Sequence, residues 1–248
     1  MARPTPPRRS VRTAVVWDVL APLVAPPAEQ TEPHRLVVVD LGGGTGGFAV
    51  PLAELGHDVT VVDQSADALA ILERRAGEHG VRVRAVQGDA ADLEAITGPS
   101  GVDLVLCHSV LEYVDDPVAA LTAVRAVLGP GGAVSVLAAN RVAAVVHRAL
   151  AGRFDQARAV LGDAEGRSGP DDRVARRFTL DGLTALLGRA RLAARAVHGV
   201  RVFADLVAGG VIDGESGGEA LLALERAAAA DAELRALATQ LHVLAVPV

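Results

Sequence analysis

The chain contains no lysine, one cysteine and only six aromatic residues in 248 positions. The single cysteine, Cys107, excludes a disulfide framework within the chain and fits a reducing compartment, so the expected location is cytoplasmic. Charge or glycine interrupts every apolar stretch well short of the roughly 18 residues needed to span a bilayer, which excludes a transmembrane helix. The seven histidines are scattered and the cysteine has no partner at ligand spacing, so no metal site is expected. All 24 basic side chains are arginines, set against 30 acidic ones for a net charge of −6. That balance opposes holding nucleic acid through the overall field and leaves a local arginine patch as the only route. The opening MARPTPPRRSVR is basic and proline-rich, Asp18 interrupts the apolar segment after it, and no small-residue cleavage pattern follows. It reads as a flexible leader over residues 1–10 and not as a signal peptide.

What is present is a regular alternation. From Leu36 short β-branched runs alternate with longer helical patterns, the signature of a parallel sheet covered by helices on both faces. Strands are predicted at 36–41, 58–63, 81–87, 102–108 and 133–139, and two more at 192–203 and the closing LHVLAVPV. A helix capped by Ser65 stops at Gly80, and Asp116-Pro117 and Gly129-Pro130 bracket another. Helices are also expected at 180–189 and 218–238, the second packed on the sheet as a lid. The fold class is a Rossmann-like α/β domain over 1–248, with a seven-stranded, mostly parallel sheet and helices on both faces. Residues 36–139 form the cofactor-binding core; 141–240 carry a helical insertion and the substrate side.

The segment VVVDLGGGTGG puts Asp40 at the end of a hydrophobic strand and glycines 42, 43, 44, 46 and 47 in the turn into a helix at 48–55. Without Cβ atoms that turn can adopt positive φ and let a ligand approach the main chain, and in open α/β sheets this is where ligands bind. Gly42, Gly44 and Gly47 satisfy a GxGxxG dinucleotide pattern. Asp63 ends the second strand 19 residues after Gly44, where a carboxylate can accept from both ribose hydroxyls of NAD or of S-adenosylmethionine. Asp63 does not choose between them.

The aspartate directly before the glycines, together with Gly88-Asp89 after the third strand, resembles the class I S-adenosylmethionine-dependent methyltransferases. The resemblance implies that Asp40 helps hold the methionine end of the cofactor and that Asp89, Ala90 and Ala91 cover the adenine. The plain alternative for Asp89 and Asp92 is a helix cap. His108, after the fourth strand, falls where this family lines the space between cofactor and substrate. Further segments are similar to the bacterial tRNA 5-carboxymethoxyuridine methyltransferases: Arg12-x-Ala-x-x-Trp17-Asp18, HSVLEYVDDP from His108, Ala151-Gly152-Arg153-Phe154-Asp155, Gly199-Val200-Arg201-Val202-Phe203, ALLALE at 220–225 and Leu241-His242-Val243. This similarity implies that Arg12, Gly42, Gly43, Asp63, Ala90, Ala91 and His108 contact S-adenosylmethionine and that tRNA is the acceptor. Any RNA surface should then lie among Arg141, Arg148, Arg153, Arg158, Arg167, Arg173, Arg176 and Arg177.

Methyl transfer from a sulfonium is an in-line displacement with an excellent leaving group, so alignment and dehydration suffice and no catalytic residue need be assigned. A carboxylate acceptor is already ionised, and Arg153 or Arg201 could orient it with a two-pronged hydrogen bond. Tyr113 and Asn140 complete the candidate substrate side. A small-molecule phenol or amine acceptor would instead call on His108 or Tyr113 as base. The same fold could also bind the cofactor without catalysis, as a sensor or scaffold. Trp17, the only tryptophan, is expected to pack a preceding helix onto the sheet.

Overall fold

A computed structural model describes residues 11–25, 35–207 and 215–248; the predicted leader at 1–10 lies outside them. The strands are β1 (Val37–Leu41), β2 (Asp58–Asp63), β3 (Arg84–Gln87), β4 (Val102–His108), β5 (Leu128–Ala139), β6 (Leu192–Val200) and β7 (Gln240–Pro247). They form one seven-stranded sheet in the order β3-β2-β1-β4-β5-β7-β6. The first five run parallel, and β7 inserts antiparallel to both β5 and β6. The helices are α1 (Ala14–Val24), α2 (Ala49–Glu54), α3 (Ala66–Glu78), α4 (Leu93–Thr97), α5 (Pro117–Val127), α6 (Arg141–Leu150), α7 (Phe154–Gly162), α8 (Leu180–Arg189) and α9 (Glu215–Ala229).

Because strand side chains alternate, the apolar runs divide between two faces. Val38, Val61, Leu104 and Leu106 pack with Trp17, Leu20 and Leu52 of α1 and α2, while Val39, Val105, Val136 and Val243 pack with Leu121, Leu183 and Leu187 of α5 and α8. Burial on both faces explains why β1 and β4 read as continuous hydrophobic segments. The predicted helix starts are realised by side-chain caps: Ser65 Oγ accepts from Ala68 N at 3.2 Å, and Asp116 Oδ1 accepts from Val118 N and Ala119 N at 2.8 and 3.0 Å. The insertion between β5 and α8 contains α6 and α7.

Several boundaries differ from the sequence expectation, among them the start of β5, at Leu128 and not 133. The strand predicted at 192–203 stops at Val200 because Arg201 takes φ +60°. The buried Glu225 carboxylate then accepts the amides of Val202, Phe203 and Ala204 at 2.9, 2.9 and 2.7 Å, so they cannot pair in a sheet. The helix predicted at 218–238 begins at Glu215, ends at Ala229, and is followed by a 3₁₀ turn at Leu234–Leu237, since Asp231 Oδ1 accepts from Glu233 N and Leu234 N and starts a new turn. Strand β3 begins three residues later than the predicted 81, at Arg84.

Glu225→Gln keeps one accepting oxygen but turns its amide nitrogen toward at least one of the three backbone donors, and chemical denaturation should show a loss of about 1–3 kcal/mol. Leu224→Gln, at a neighbouring position of the same helix that is 49% exposed, should cost well under 1 kcal/mol, roughly as for other surface changes.

Candidate functional site

Strand β1 lies between β2 and β4, and the chain leaves these strands at the carboxyl edge of the sheet, where open α/β sheets bind ligands. The Gly42 amide donates to the Val62 carbonyl at 2.7 Å and turns the chain with φ +67°. A Cβ on Gly42 would lie 2.5 Å from Val110 Cγ2, and one on Gly43 would lie 2.5 Å from the Asp40 carboxyl carbon. These positions need glycine because the loop after β4 and the Asp40 side chain occupy the space. Gly44, with φ +53°, donates its amide to Asp63 Oδ2 at 2.9 Å, and Ser65 N donates to Asp63 Oδ1 at 2.8 Å. Both oxygens of Asp63 are thereby oriented at the end of β2 with lone pairs to spare.

Asp40 is in the opposite condition. It is 3% exposed, and among the described residues no hydrogen bond reaches its carboxylate. Burial, reinforced by the Asp63 charge, pushes its pKa up to about 7. Asp89 serves locally as a cap: its Oδ1 accepts from Ala91 N at 2.7 Å while Asp92 Oδ2 accepts from Asp89 N at 2.9 Å. The Gly88 amide ties this loop to the Asp63 carbonyl at 3.2 Å. Ala90 is buried and Ala91 exposed at the turn.

His108, at the end of β4, stands edge-on to Phe48 at the foot of the glycine turn, with centroids 4.8 Å apart, and Phe48 stacks on Trp17 of α1 at 5.0 Å. Its Nε2 lies 2.8 Å from Ser135 Oγ, which lies 2.8 Å from His242 Nε2. Burial holds the His108 pKa down, at about 3, and lowers that of His242 as well, so both rings are neutral. Ser135 and His242 were not picked out from the sequence as site residues. The available signal was that each is the lone polar residue in an apolar strand run, in AVSVLAA and in LHVLAV.

The remaining candidates disperse. Arg201 NH1 pairs with Asp205 Oδ2 at 3.3 Å, and Arg12 NH2 lies 3.9 Å from the other oxygen of the same carboxylate. Tyr113 is 59% exposed beyond the cleft loop. Asn140 is buried; its amide nitrogen donates to the carbonyls of Ala236 and Ala238, and its oxygen accepts from Val142 N, capping α6. That amide has no hydrogen left for a ligand. Most of the arginines at 141–177 are already engaged. Arg148 and Arg177 share Asp172, Arg176 pairs with Glu165, Arg158 with Asp155 and Arg167 with Asp163, and Arg141 donates to the carbonyls ending α7. Arg153 and Arg173 remain exposed. Five of the eight arginines in the segment are thus paired with acids interleaved in the same stretch. Among the described residues there is no metal-ligand cluster, and no helix is long and apolar enough to cross a membrane.

The Asp40 proton has a direct stability consequence. The folded state holds it up to about pH 7, the unfolded chain only to an ordinary carboxylate value, so stability falls as pH rises across that window and is level above it. Asp40→Asn should remove this pH dependence and raise the stability of the ligand-free protein at pH 8 by an amount on the order of 2–4 kcal/mol, measured by denaturant titration at pH 5 and pH 8.

Residues 38–132 match the family described as "Methyltransferase domain". The chain is 36% identical over 155 residues to the tRNA 5-carboxymethoxyuridine methyltransferase of Escherichia coli K12, covering 60% of this chain and 56% of that protein. It is 38% identical over 104 residues to the ubiquinone biosynthesis O-methyltransferase of Cupriavidus pinatubonensis, covering 42% and 41% of the two chains. The chain thus spans about half the length of these curated relatives. In structure it resembles an S-adenosylmethionine-dependent methyltransferase from Mesorhizobium loti, with TM-score 0.59 and 21% identity over 95% of this chain and 99% of that one. Residues 38–132 are thus similar to a methyltransferase domain, and the chain shares the Rossmann-like α/β fold of that solved structure.

Proposed function

We propose that the protein is an S-adenosylmethionine-dependent methyltransferase whose acceptor is a carboxylate, that of a carboxymethoxyuridine in tRNA, and that it works in the cytoplasm. The observation that carries the cofactor reading is the cradle itself: the glycine turn, closed to side chains by Val110 and Asp40, beside an Asp63 carboxylate held by two backbone amides. The cofactor, when bound, supplies an electrophilic methyl group on a positively charged sulfur. Asp63 accepts from the ribose hydroxyls, and Asp40 offers a carboxylate to the cationic methionine end across Gly42, Gly43 and Gly44. Ala90 and Ala91, after the Asp89 cap, leave room beside a flat ring, and His108 and Arg12 close the far side.

A carboxylate acceptor suits the rest of the cleft. His108 is held at about 3, which makes it a poor proton acceptor near neutrality, and the one tyrosine nearby is exposed. An acceptor that arrives ionised needs no base. Arg201, already oriented by Asp205, and the exposed Arg153 are the groups we assign to hold it; the structural role of Asn140 leaves it out of this set. The shared sheet supports treating the chain as one unit, with 36–139 for the cofactor and 141–240 for the acceptor. The relation to the tRNA enzyme supports the RNA assignment. A second reading, a small-molecule O- or N-methyltransferase, is favoured by the acidic balance and by the arginines being paired within the fold.

Calorimetry with S-adenosylhomocysteine should give micromolar binding that Asp63→Ala abolishes; no binding by the wild type, with NAD run alongside, would overturn the cofactor assignment. Because Asp40 titrates at about 7, affinity should weaken about tenfold from pH 8 to pH 6, and Asp40→Asn should bind weakly at both. With the cofactor in place, methyl transfer to tRNA bearing carboxymethoxyuridine, and not to tRNA lacking it, would establish the acceptor. Arg201→Ala should then lower turnover about tenfold or more with little change in cofactor affinity, as loss of a charged hydrogen bond implies. Unchanged turnover removes Arg201 from the mechanism.

A further inference from the structure

The polar chain behind His108 crosses three neighbouring strands: His108 on β4, Ser135 on β5 and His242 on β7. All three lie on one face of the sheet, since His108 pairs with Leu137, Leu137 with His242, and Ser135 sits two residues before Leu137. Ser135 and His242 are fully enclosed, whereas His108 is half-buried at the rim of the cleft. The Ser135 hydroxyl carries a single proton but faces an imidazole nitrogen on each side at 2.8 Å. Accepting from both rings would strand the hydroxyl proton in the closed interior, since Oγ has no third partner among the described residues, so one ring donates to Ser135 and the other accepts from it, and the two histidines are opposite tautomers.

Energetics choose the direction. Nδ1 of both rings is buried and unpartnered. If His108 donated from Nε2, His242 would carry its proton on Nδ1, an orphan N–H in the closed interior between β7 and the covering helices. If His242 donates instead, the orphan N–H belongs to His108, the half-buried ring of the two. Burying an N–H with no acceptor costs about 1–3 kcal/mol, most in the fully enclosed interior, so the arrangement that leaves it on the half-buried ring prevails.

We propose that His242 and Ser135 are positioning residues that fix the His108 tautomer, with donation running from His242 Nε2–H to Ser135 Oγ–H to His108 Nε2, so that His108 presents an Nδ1–H donor to the cofactor cleft. The last-but-one layer of the sheet, outside the matched domain at 38–132, then completes a cofactor-side group. The inference rests on the reading that His108 lines the cofactor site, but the tautomer itself is a property of the ligand-free protein. Ser135→Ala frees His108 to hold its proton on either nitrogen. His242→Gln places an amide N–H donor near the former Nε2 position and keeps the direction; His242→Phe removes it.

Nitrogen-15 NMR on histidine-labelled protein without ligand reads the tautomer directly. The wild type and His242→Gln should show His108 protonated on Nδ1, and Ser135→Ala and His242→Phe should shift it toward Nε2. Calorimetry on the same samples should show S-adenosylhomocysteine binding weakened about three- to tenfold in Ser135→Ala and His242→Phe and restored in His242→Gln, the loss expected for one hydrogen bond. Wild-type His108 protonated on Nε2, or a tautomer indifferent to Ser135→Ala, overturns the proposal. If His242→Phe fails to fold, Ser135→Ala and His242→Gln still decide it. A wild type that has the Nδ1–H form yet binds no S-adenosylhomocysteine supports the relay and refutes the cofactor reading instead.

Discussion

The site exists because the chain leaves β1 in one direction and returns to β4 on the other side. After β1 the connections run outward to β2 and β3, and the next one crosses back to β4 and β5, so the loops above β1 and β4 diverge and leave a cleft between them. That divergence is a consequence of right-handed crossovers in a parallel sheet, and it puts the ligand at the carboxyl ends of the strands whatever the chemistry. Most candidate cofactor groups take their position from that edge: Asp40 and the glycines from β1, Asp63 from β2, the Asp89 turn from β3 and His108 from β4, with Arg12 coming from the segment before α1.

Aspartates and glutamates that look alike in the sequence have different fates under this constraint. Asp63 is satisfied by two amides, Asp40 is buried without a donor, Asp89 is turned inward to its own loop as a cap, and Glu225 gathers three amides of a chain reversal far from the glycine turn. Only Asp40 carries an electrostatic penalty with no internal relief. A buried carboxylate kept unsatisfied in the fold is suited to a cationic ligand, and the stability it forgoes measures how far the site is prepared in advance.

The arginine-rich half shows the same dependence on pairing. Composition alone suggests a basic face at 141–177, yet Asp155, Asp163, Glu165 and Asp172, interleaved in the same stretch, pair with five of its eight arginines. These pairs order the insertion, whose loops have few apolar anchors, and their exposed members contribute little individually to stability. Arg153 and Arg173 remain exposed, and Arg201 is held by Asp205.

Strand and helix identities, the glycine turn and Asp63 were legible because each rests on local rules: alternation, caps and the steric freedom of glycine. That β1 to β5 run parallel follows from the same βα repeat, but their order in the sheet does not. What local rules could not carry was anything set by side chains brought together from distant positions. The halt of β6 at Val200 depends on Glu225, 25 residues on, and the engagement of Asn140 depends on Ala236 and Ala238. The histidine chain joins residues 107 positions apart, because β7 inserts antiparallel beside β5. The sequence by itself determined where a nucleotide-like cofactor can be approached by backbone, since that is a matter of sterics at one turn. The tertiary structure alone decided which polar groups are satisfied and which are left open, because a hydrogen bond depends on distance and direction in space and not on separation along the chain.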